Sequence, residues 1–100
     1  MSSIEYIRFK IEEKNCNIFI QTINQACKII ADYPDCLNYE VARCEENTLL
    51  FIWRIEWTST NAHLNGFRKH KTFKPFFKLM QPFLNSISEM NHYKKVVEKQ

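Results

Sequence analysis

Apolar and polar residues alternate along three stretches of the chain, which is the pattern of a β-strand with one buried face. The stretches span residues 4–11, 36–43 and 85–96. In the first, isoleucine, phenylalanine and isoleucine occupy alternate positions from Ile7 to Ile11, and the positions between them hold polar or charged side chains. The pattern therefore predicts three strands, each with one face toward a core.

A fourth stretch is apolar on both faces. Residues 48–57 read T-L-L-F-I-W-R-I-E-W, as expected of a central strand that is covered on both sides. One layer of helices covers only one face of a sheet, and a second copy of the chain is the most economical cover for the other. The pattern thus predicts a homodimer. Arg54 and Glu56 share a face and are expected to pair across to the strand that carries Glu40.

Helical periodicity separates the first two strands. The helix is predicted to begin at a cap residue, Asn15, and to end at about Asp32, before the sequence Tyr-Pro-Asp stops it. Its apolar positions recur at helical spacing and form one core face. A short aromatic helix, bounded by Pro82, is predicted over 73–84 and resembles a lid or plug.

A second longer helix is predicted over 59–70, capped by the hydroxyl of Thr58 or Ser59. Its predicted inward face consists of Ala62, His63, Gly66, Phe67 and His70. Gly66 is the only glycine of the chain, and glycine within a helix costs ~1 kcal/mol relative to alanine. We therefore expect close packing against the sheet, or space for a ligand, at this position.

The predicted element order is β-α-β-β-α-β. As one antiparallel sheet with helices on one face, this is the ferredoxin-like arrangement of an α+β protein. One hundred residues with 45% hydrophobic content fit a single domain over 1–100. The N-terminus lacks a signal pattern and no apolar run spans a bilayer, so a cytoplasmic protein without a membrane partner is expected.

Charge is distributed unevenly along the chain. Residues 1–50 carry five basic and eight acidic side chains, whereas residues 51–100 carry nine basic and three acidic ones. The local excess comes from Arg68, Lys69, Lys71, Lys74 and Lys78. It could steer an anionic ligand or form a solvated helix face. No recognisable nucleic-acid motif accompanies it, so no nucleic-acid partner is predicted. The four cysteines lack C-x-x-C spacing and are interpreted as free, mostly buried thiols.

Several motifs occur in the order and spacing of a known family. They are P-D-C-L-N-Y-E-V-A-R at 34–43, E-W at 56–57 followed by Ser59 and Ala62, and P-F-L-N-S-I-S-E-M-N-H-Y at 82–93. Together they resemble the antibiotic biosynthesis monooxygenase family, whose members are dimeric α+β barrels. A branch of that family is similar in H-x-x-G-F-R, here His63, Gly66, Phe67 and Arg68.

The resemblance implies a pocket between the helices and the concave face of the sheet. Characterised members are cofactor-independent monooxygenases that act on phenols and quinols, or haem-degrading enzymes. Haem degraders resemble one another in an asparagine on the first strand and a tryptophan and a histidine in the second helical region. The corresponding places here hold Ile7, Gly66 or Phe67, and Phe76, which argues against haem degradation.

Two residues are the candidates for catalysis. His63 is predicted to act as a base or a hydrogen-bond donor to a bound phenol, because the ordinary pKa of histidine lies near neutrality. A hydrogen-bonded structural histidine is the alternative. Arg68 is predicted to bind a carboxylate or phenolate. The alternative is a surface residue or one that forms a salt bridge in the dimer. His70 lies ~10 Å from His63 along a helix, too far to share a metal, so no metal site is predicted.

Aromatic side chains are the candidates for the pocket wall. They are Trp57, Phe67, Phe73, Phe76 and Phe77, with His92 as a weaker addition. The same residues would serve equally well as core. Two functions are favoured: a dimeric monooxygenase that oxidises a small aromatic or quinol substrate with O2 and no cofactor, and a non-catalytic dimeric module that binds a hydrophobic metabolite. Nucleic-acid binding through the basic helix is a third possibility that only the charge supports. An enzyme needs polar groups that converge on the pocket.

Overall fold

The structure is a computed structural model that describes residues 2–99. Its strands are β1 (Ser3–Lys10), β2 (Cys36–Arg43), β3 (Leu50–Trp57) and β4 (Ile87–Tyr93). Its α-helices are α1 (Cys16–Ala31) and α2 (Phe73–Met80). A π-helical turn, Ala62–Gly66, and the 3-10 turns Glu13–Asn15, Phe67–Lys69 and Gln81–Ser86 complete it. Among these residues no helix has both the length and the apolar character needed to cross a membrane.

The four strands form one antiparallel sheet in the order β2-β3-β1-β4. This arrangement confirms the predicted α+β, ferredoxin-like fold. In the register of β1, Glu5 lies opposite Ile55 on β3 and opposite His92 on β4. Residues opposite one another in adjacent strands point to the same face. The register therefore brings the start of β1 and the end of β4 together on the inner face, under the helices.

The inner face of β3 is fully buried, and its outer face is not. Phe51, Trp53, Ile55 and Trp57 are at most 2% exposed, whereas Ile52, Arg54 and Glu56 between them are half-buried. Arg54 stands opposite Glu40 in the register as predicted, but its ion pair, at 4.0 Å, is with Glu56 on its own strand.

Helix α1 covers one end of the inner face. Its Phe19 is 0% exposed and packs its ring against Phe9, Phe51 and Phe83, with centroids 4.8–5.1 Å apart. These four residues are called the phenylalanine cluster below. Asn15 precedes α1 as predicted, although its side chain makes no capping hydrogen bond. The 3-10 turn Glu13–Asn15 leads directly into α1.

The helix predicted over 59–70 is wrong as a regular α-helix. Ser59 does cap it, because its Oγ accepts the Ala62 N–H at 2.9 Å. The chain then widens into the π-helical turn, where the Phe67 N–H points to the carbonyls of both Ala62 and His63. Only His63 and Phe67 of the predicted inward face are buried; His70 follows the last helical turn in extended conformation and is exposed.

Other bounds, and the register of one strand, differ from the prediction. The strand predicted over 85–96 is β4, which spans Ile87–Tyr93. It begins at Ile87 because a 3-10 turn with Pro82 in its first positions continues the preceding helix to Ser86. In β2 the register shifts between Cys36 and Asn38, so Leu37 falls in the irregularity and is exposed, whereas Tyr39 is half-buried.

Candidate active site

A cavity of about 170 Å³ lies between the inner face of the sheet and the layer formed by the π-helical turn and α2. Most of its wall is apolar. The lining comprises Ile7, Phe9, Trp53, Ile55, Trp57, Phe67, Phe73, Phe76, Phe77, Met80, Leu84, Ile87 and Met90, with Glu5, His63 and Arg68 as the polar members. Phe77, Leu84 and Met90 are also exposed, so the cavity opens toward solvent beside them.

The structure gathers the predicted site residues around this cavity. Five aromatic side chains line it as the sequence analysis proposed: Trp57, Phe67, Phe73, Phe76 and Phe77. The two candidate catalytic residues, His63 and Arg68, line it as well. His92 does not reach the cavity but contacts His63 from behind, with His92 Nε2 and His63 Nδ1 2.7 Å apart. The functional roles of these residues remain predictions.

The inner end of the cavity carries a buried carboxyl group. Glu5 on β1 is 2% exposed, and its Oε1 accepts a hydrogen bond from Trp57 Nε1 at 3.1 Å. The same oxygen lies 3.7 Å from His63 Nε2. A carboxyl group that is removed from water needs such partners, because desolvation otherwise makes burial costly. Trp57 thus holds Glu5 in a fixed position at the cavity wall.

His63 is held between two partners. Its ring stacks on the indole of Trp57 with centroids 4.5 Å apart and an angle of 7° between the planes. Its two nitrogens point in different directions, Nε2 toward Glu5 and Nδ1 toward His92. The π-helical turn carries His63 into this position, and such turns are frequent at functional sites. One imidazole therefore connects the cavity to a second histidine.

His92 forms the outer part of this cluster. It lies on β4 directly opposite Glu5 in the register, and it is only partly buried. It also lines a shallow recess of the protein surface together with Ser3, Thr60 and Tyr93. The three side chains Glu5, His63 and His92 therefore run from the cavity to the surface. They are called the Glu-His-His chain below.

Burial controls the protonation of the Glu-His-His chain. Desolvation raises the pKa of Glu5 from 4.5 to about 7, while the Trp57 hydrogen bond and the Arg68 charge oppose the rise. Desolvation, with smaller contributions from the charges of Arg68 and His92, lowers the pKa of His63 from 6.5 to about 3. Burial and Arg68 also lower the pKa of His92. Near neutral pH His63 is an uncharged imidazole beside a carboxyl group that titrates.

Arg68 is the cationic residue of the cavity wall. Its side chain is exposed, and its charge acts on the pKa of all three members of the Glu-His-His chain. An exposed guanidinium in the wall of an apolar cavity can bind the oxygen of an anionic ligand while its own charge remains solvated. Arg68 therefore supplies the positive potential that an anion in the cavity would experience.

The two histidines compared in the metal prediction, His63 and His70, do not meet in the structure. His70 is exposed and bonds to Thr72, whereas His63 meets His92 and Glu5. These three side chains do place one potential ligand atom each within 4.8 Å of one another. The two nitrogens of His63 point in different directions, Nε2 toward Glu5 and Nδ1 toward His92. These contacts connect the three side chains in series, and we interpret them as a chain of hydrogen-bonding groups.

Gly66 permits a close contact within the site. A Cβ atom at this position would lie 2.9 Å from the Tyr33 hydroxyl oxygen, which is too short for a real contact. Tyr33 follows α1 and packs edge-on against Phe67, with centroids 5.2 Å apart. The expected close packing of Gly66 is therefore present, but against Tyr33 and not against the sheet.

Sequence reasoning missed two residues of the site, Glu5 and Tyr33. A signal for Glu5 existed: the alternation of Ile7, Phe9 and Ile11 extends backward to position 5, which places a carboxylate on the apolar face of β1. No comparable signal marked Tyr33, because its contact with Gly66 depends on how the end of α1 meets the π-helical turn. The charge on an otherwise apolar strand face was the informative feature.

Other features of the described residues offer less chemistry. A larger, open groove of about 980 Å³ runs between α1 and α2, and Glu12 and Lys78 are its charged lining residues. All four cysteines are free, as predicted, although only two of them are buried. Burial raises the pKa of Cys27 to about 12, which keeps it a thiol. The cavity at Glu5 is therefore the candidate active site.

Comparison with known proteins places the fold and the family. The chain is 23% identical to the uncharacterised protein YczJ of Bacillus subtilis strain 168 over 78 residues, which is 78% of this chain and 82% of that protein. A conserved protein from Methanosarcina mazei Go1 superposes with a TM-score of 0.80 at 19% identity, covering 95% of this chain and 93% of the other.

SnoaB, a cofactor-independent oxygenase from Streptomyces nogalater, superposes with a TM-score of 0.81 at 12% identity, over 97% of this chain and 95% of SnoaB. At these identities the likeness establishes the fold alone. The family model described as antibiotic biosynthesis monooxygenase matches residues 3–79, which include β1, α1, the π-helical turn and most of α2. The chain therefore belongs to the antibiotic biosynthesis monooxygenase family.

Proposed function

We propose that the protein is a monooxygenase that oxidises a small phenol or quinol with O2 in the cavity beside Glu5, without a metal or flavin of its own. The observation that carries the proposal is an apolar, aromatic cavity whose inner end presents a carboxyl group with a pKa of about 7. Membership of the family supports the reaction class. An acid or base is most effective when its pKa lies near the working pH.

The size of the cavity limits the substrate. Its 170 Å³ is close to the ~150 Å³ of an apolar cavity known to hold one benzene molecule, and it is below the ~300–1,000 Å³ of pockets for larger ligands. A single aromatic ring therefore fits, whereas the polycyclic ligand that the aromatic wall also suggests would require Phe77 or Met90 at the mouth to move. We expect phenols with one ring to be preferred over polycyclic phenols.

Glu5 is a better proton acceptor than His63. A base with a pKa of about 3 is weak, and burial lowers the pKa of His63 to about that value. Glu5, with a pKa of about 7, exists in both protonation states at neutral pH. The proposal therefore assigns the base to Glu5, with His63 positioning it and Arg68 stabilising the phenolate through its charge.

The reaction balances with O2 as the only oxidant. Glu5 removes the phenol proton, and the phenolate passes one electron to O2, which gives a phenoxyl radical and superoxide. Their combination forms a C–O bond at a ring carbon ortho or para to the hydroxyl that carries a hydrogen. Loss of that hydrogen as a proton, with cleavage of the O–O bond and return of the phenol's proton, releases one water. One phenol and one O2 thus give one quinone and one H2O. The apolar wall favours combination of the phenoxyl radical with superoxide over escape of superoxide into solvent.

The assembly in the proposal is a homodimer. Leu50, Ile52 and Tyr6 lie on the outer face of the sheet and are exposed or half-buried in the single chain. A second copy packed on this face would cover them and would close the barrel that the family resemblance implies. Size-exclusion chromatography with light scattering tests this part, and a monomer at micromolar concentration would contradict it.

Oxygen uptake tests the proposed function. Purified protein is mixed with phenol, catechol or hydroquinone in an oxygen electrode, and quinone and H2O2 are quantified. We expect one O2 consumed per quinone, little H2O2, and a rate that falls on the order of 100-fold in Glu5→Gln. The matched control is Glu13→Gln, which changes an exposed glutamate in the turn before α1. Equal rates in both variants would overturn the assignment of Glu5.

A binding module is the second candidate, and the apolar lining favours it. Such a module would bind a hydrophobic metabolite in the same cavity without consuming O2. Isothermal titration with phenol separates the two cases. An enzyme binds phenol and consumes O2, whereas a module binds phenol with equal affinity in wild type and Glu5→Gln and consumes none.

A further inference from the structure

We propose that Glu5, His63 and His92 form a proton relay that carries a proton between the cavity and the surface of the protein. The inference deepens the proposed function and rests on it for its use, since the proton taken from the phenol has to leave the apolar cavity while the phenolate reacts, and a proton has to return when cleavage of the O–O bond forms water. The route itself is a property of three side chains and can be tested without a substrate.

The geometry joins three elements of the fold into one path. Glu5 Oε1 on β1 faces His63 Nε2 at 3.7 Å, and His63 Nδ1 on the π-helical turn faces His92 Nε2 on β4 at 2.7 Å. The second contact is a hydrogen bond. The first is about 0.7 Å longer than one, and contacts of this kind commonly tighten when a substrate fills the site. His92 reaches the surface recess, so the path ends at solvent.

Two protonation states follow from this path. When Glu5 is ionised, His63 carries its proton on Nε2, facing the carboxylate, and His92 carries its proton on Nε2, which donates to His63 Nδ1. When a proton enters at His92 Nδ1, the Nε2 proton of His92 moves to His63 Nδ1, and the Nε2 proton of His63 moves to Glu5. The second state equals the first plus one proton. Both histidines are neutral in both states.

The surroundings of His63 disfavour its protonated form and favour transfer of a proton through its neutral ring. Burial and the charge of Arg68 hold the pKa of His63 at about 3, so an imidazolium at His63 is disfavoured. A shift in which His63 gains one proton as it gives up the other avoids that cation. Trp57 fixes the remaining geometry, because it stacks on His63 and also donates to Glu5. Arg68 and Trp57 are the other groups that act on the pKa of the buried members.

A merely structural cluster would behave differently. In a fixed hydrogen-bonded cluster each imidazole keeps one tautomer at all pH values where it is neutral. In the relay both imidazoles must change from the Nδ1–H tautomer to the Nε2–H tautomer as Glu5 loses its proton. The relay therefore predicts a coupled change that a positioning role alone would not produce.

Long-range 1H–15N correlation spectra of the ligand-free protein test the relay, since they separate protonated from unprotonated ring nitrogens. As pH rises through the Glu5 titration, His63 and His92 are expected to switch tautomer with one common midpoint. In Glu5→Gln neither should switch in that range, and the exposed His70 should titrate as in wild type. The relay is overturned if either imidazole keeps its tautomer while Glu5 titrates, or if added ZnCl2 binds all three side chains with high affinity.

Rates of O2 uptake test the relay separately from the proposed function. In weakly buffered solution, His92→Ala should lower O2 uptake ~100-fold, and added imidazole should restore it, whereas the matched variant His70→Ala should match wild type. A coupled tautomer switch without O2 uptake from any phenol supports the relay and contradicts the proposed function. Uptake of O2 without the switch, or without rescue by imidazole, supports the function and contradicts the relay.

Discussion

The two ends of the layer between sheet and helices are built from the same strands but differ in composition. At one end the phenylalanine cluster fills the space, with Phe19 at 0% exposure among three other rings. At the other end the same strands contribute Glu5 and Trp57, and a cavity remains. Glu5 and Phe9 are only four residues apart on β1, on the same face.

This difference separates the source of stability from the site of chemistry. The phenylalanine cluster gains free energy from apolar burial and aromatic contacts. The end that holds Glu5 and His63 buries two groups whose charged forms are disfavoured there, which costs free energy unless they stay neutral. Proteins retain such groups at functional sites, where shifted pKa values serve a reaction. The predictions below test this division, from the largest effect to the smallest.

Truncation of the phenylalanine cluster should have the largest effect on stability. Phe19→Ala removes a fully buried ring and should lower the free energy of unfolding by ~3–5 kcal/mol. The matched variant Phe76→Ala removes a half-buried ring beside an existing cavity, and it should cost about half as much, because fewer contacts are lost. Urea unfolding measures both, and equal losses would contradict the proposed difference between the two ends.

Substitution of the two buried titratable groups should change the pH dependence of stability in opposite directions. Glu5 has a raised pKa, so its contribution is full below pH 4.5 and is lost as pH rises through about 7. His63 has a lowered pKa, so its contribution is present above pH 6.5 and is lost as pH falls through about 3. Between pH 4.5 and 6.5 the two slopes cancel in the wild type.

In each single variant, the pH dependence of the free energy of unfolding should therefore reflect the titratable residue that remains. Relative to wild type, the stability of Glu5→Gln should rise with pH over this interval by ~1.4 kcal/mol per pH unit, and that of His63→Gln should fall by a similar amount. Urea unfolding at several pH values gives both slopes. Variants with the pH profile of the wild type would show that neither group is desolvated in the fold.

A smaller effect is expected at the contact between Gly66 and Tyr33. Gly66→Ala brings a Cβ against the Tyr33 hydroxyl and should destabilise the protein by ~1–2 kcal/mol, because overpacking outweighs the gain in helix propensity. In a Tyr33→Phe background the hydroxyl is gone and the substitution should be nearly neutral. Thermal unfolding of the four proteins in the cycle measures the coupling, and additive effects would refute the contact.

Much of the fold could be predicted from the sequence, because strand alternation and helical periodicity are local patterns. The bounds of β2 and the end of β3 at Trp57 were predicted correctly, and the element order led to the observed fold. The π-helical turn was not predicted, since its residues have the spacing of an ordinary helix, and the contact of Gly66 with Tyr33 joins segments far apart in the chain. The start of β4 was misplaced because a 3-10 turn has no strong periodic pattern.

The candidate site was predicted only in part, for a similar reason. Aromatic residues on the helical segments faced the cavity, since helical spacing directs them inward. His92 was a weak candidate because the sequence does not give the register of β4 against β1, and only that register brings His92 opposite Glu5. Which histidine approaches His63 is thus decided by strand pairing between residues far apart in the chain.

The carboxyl titration of Glu5 tests the central claim most directly. In 13C NMR spectra of the ligand-free protein, labelled at glutamate, the Glu5 side-chain carboxyl should titrate with a midpoint near pH 7, as its burial beside Trp57 and His63 requires. The Glu5 resonance is assigned as the one that is absent from the spectrum of Glu5→Gln. A midpoint near the ordinary 4.5 would mean that Glu5 is solvated, and it would contradict both the proposed base and the relay.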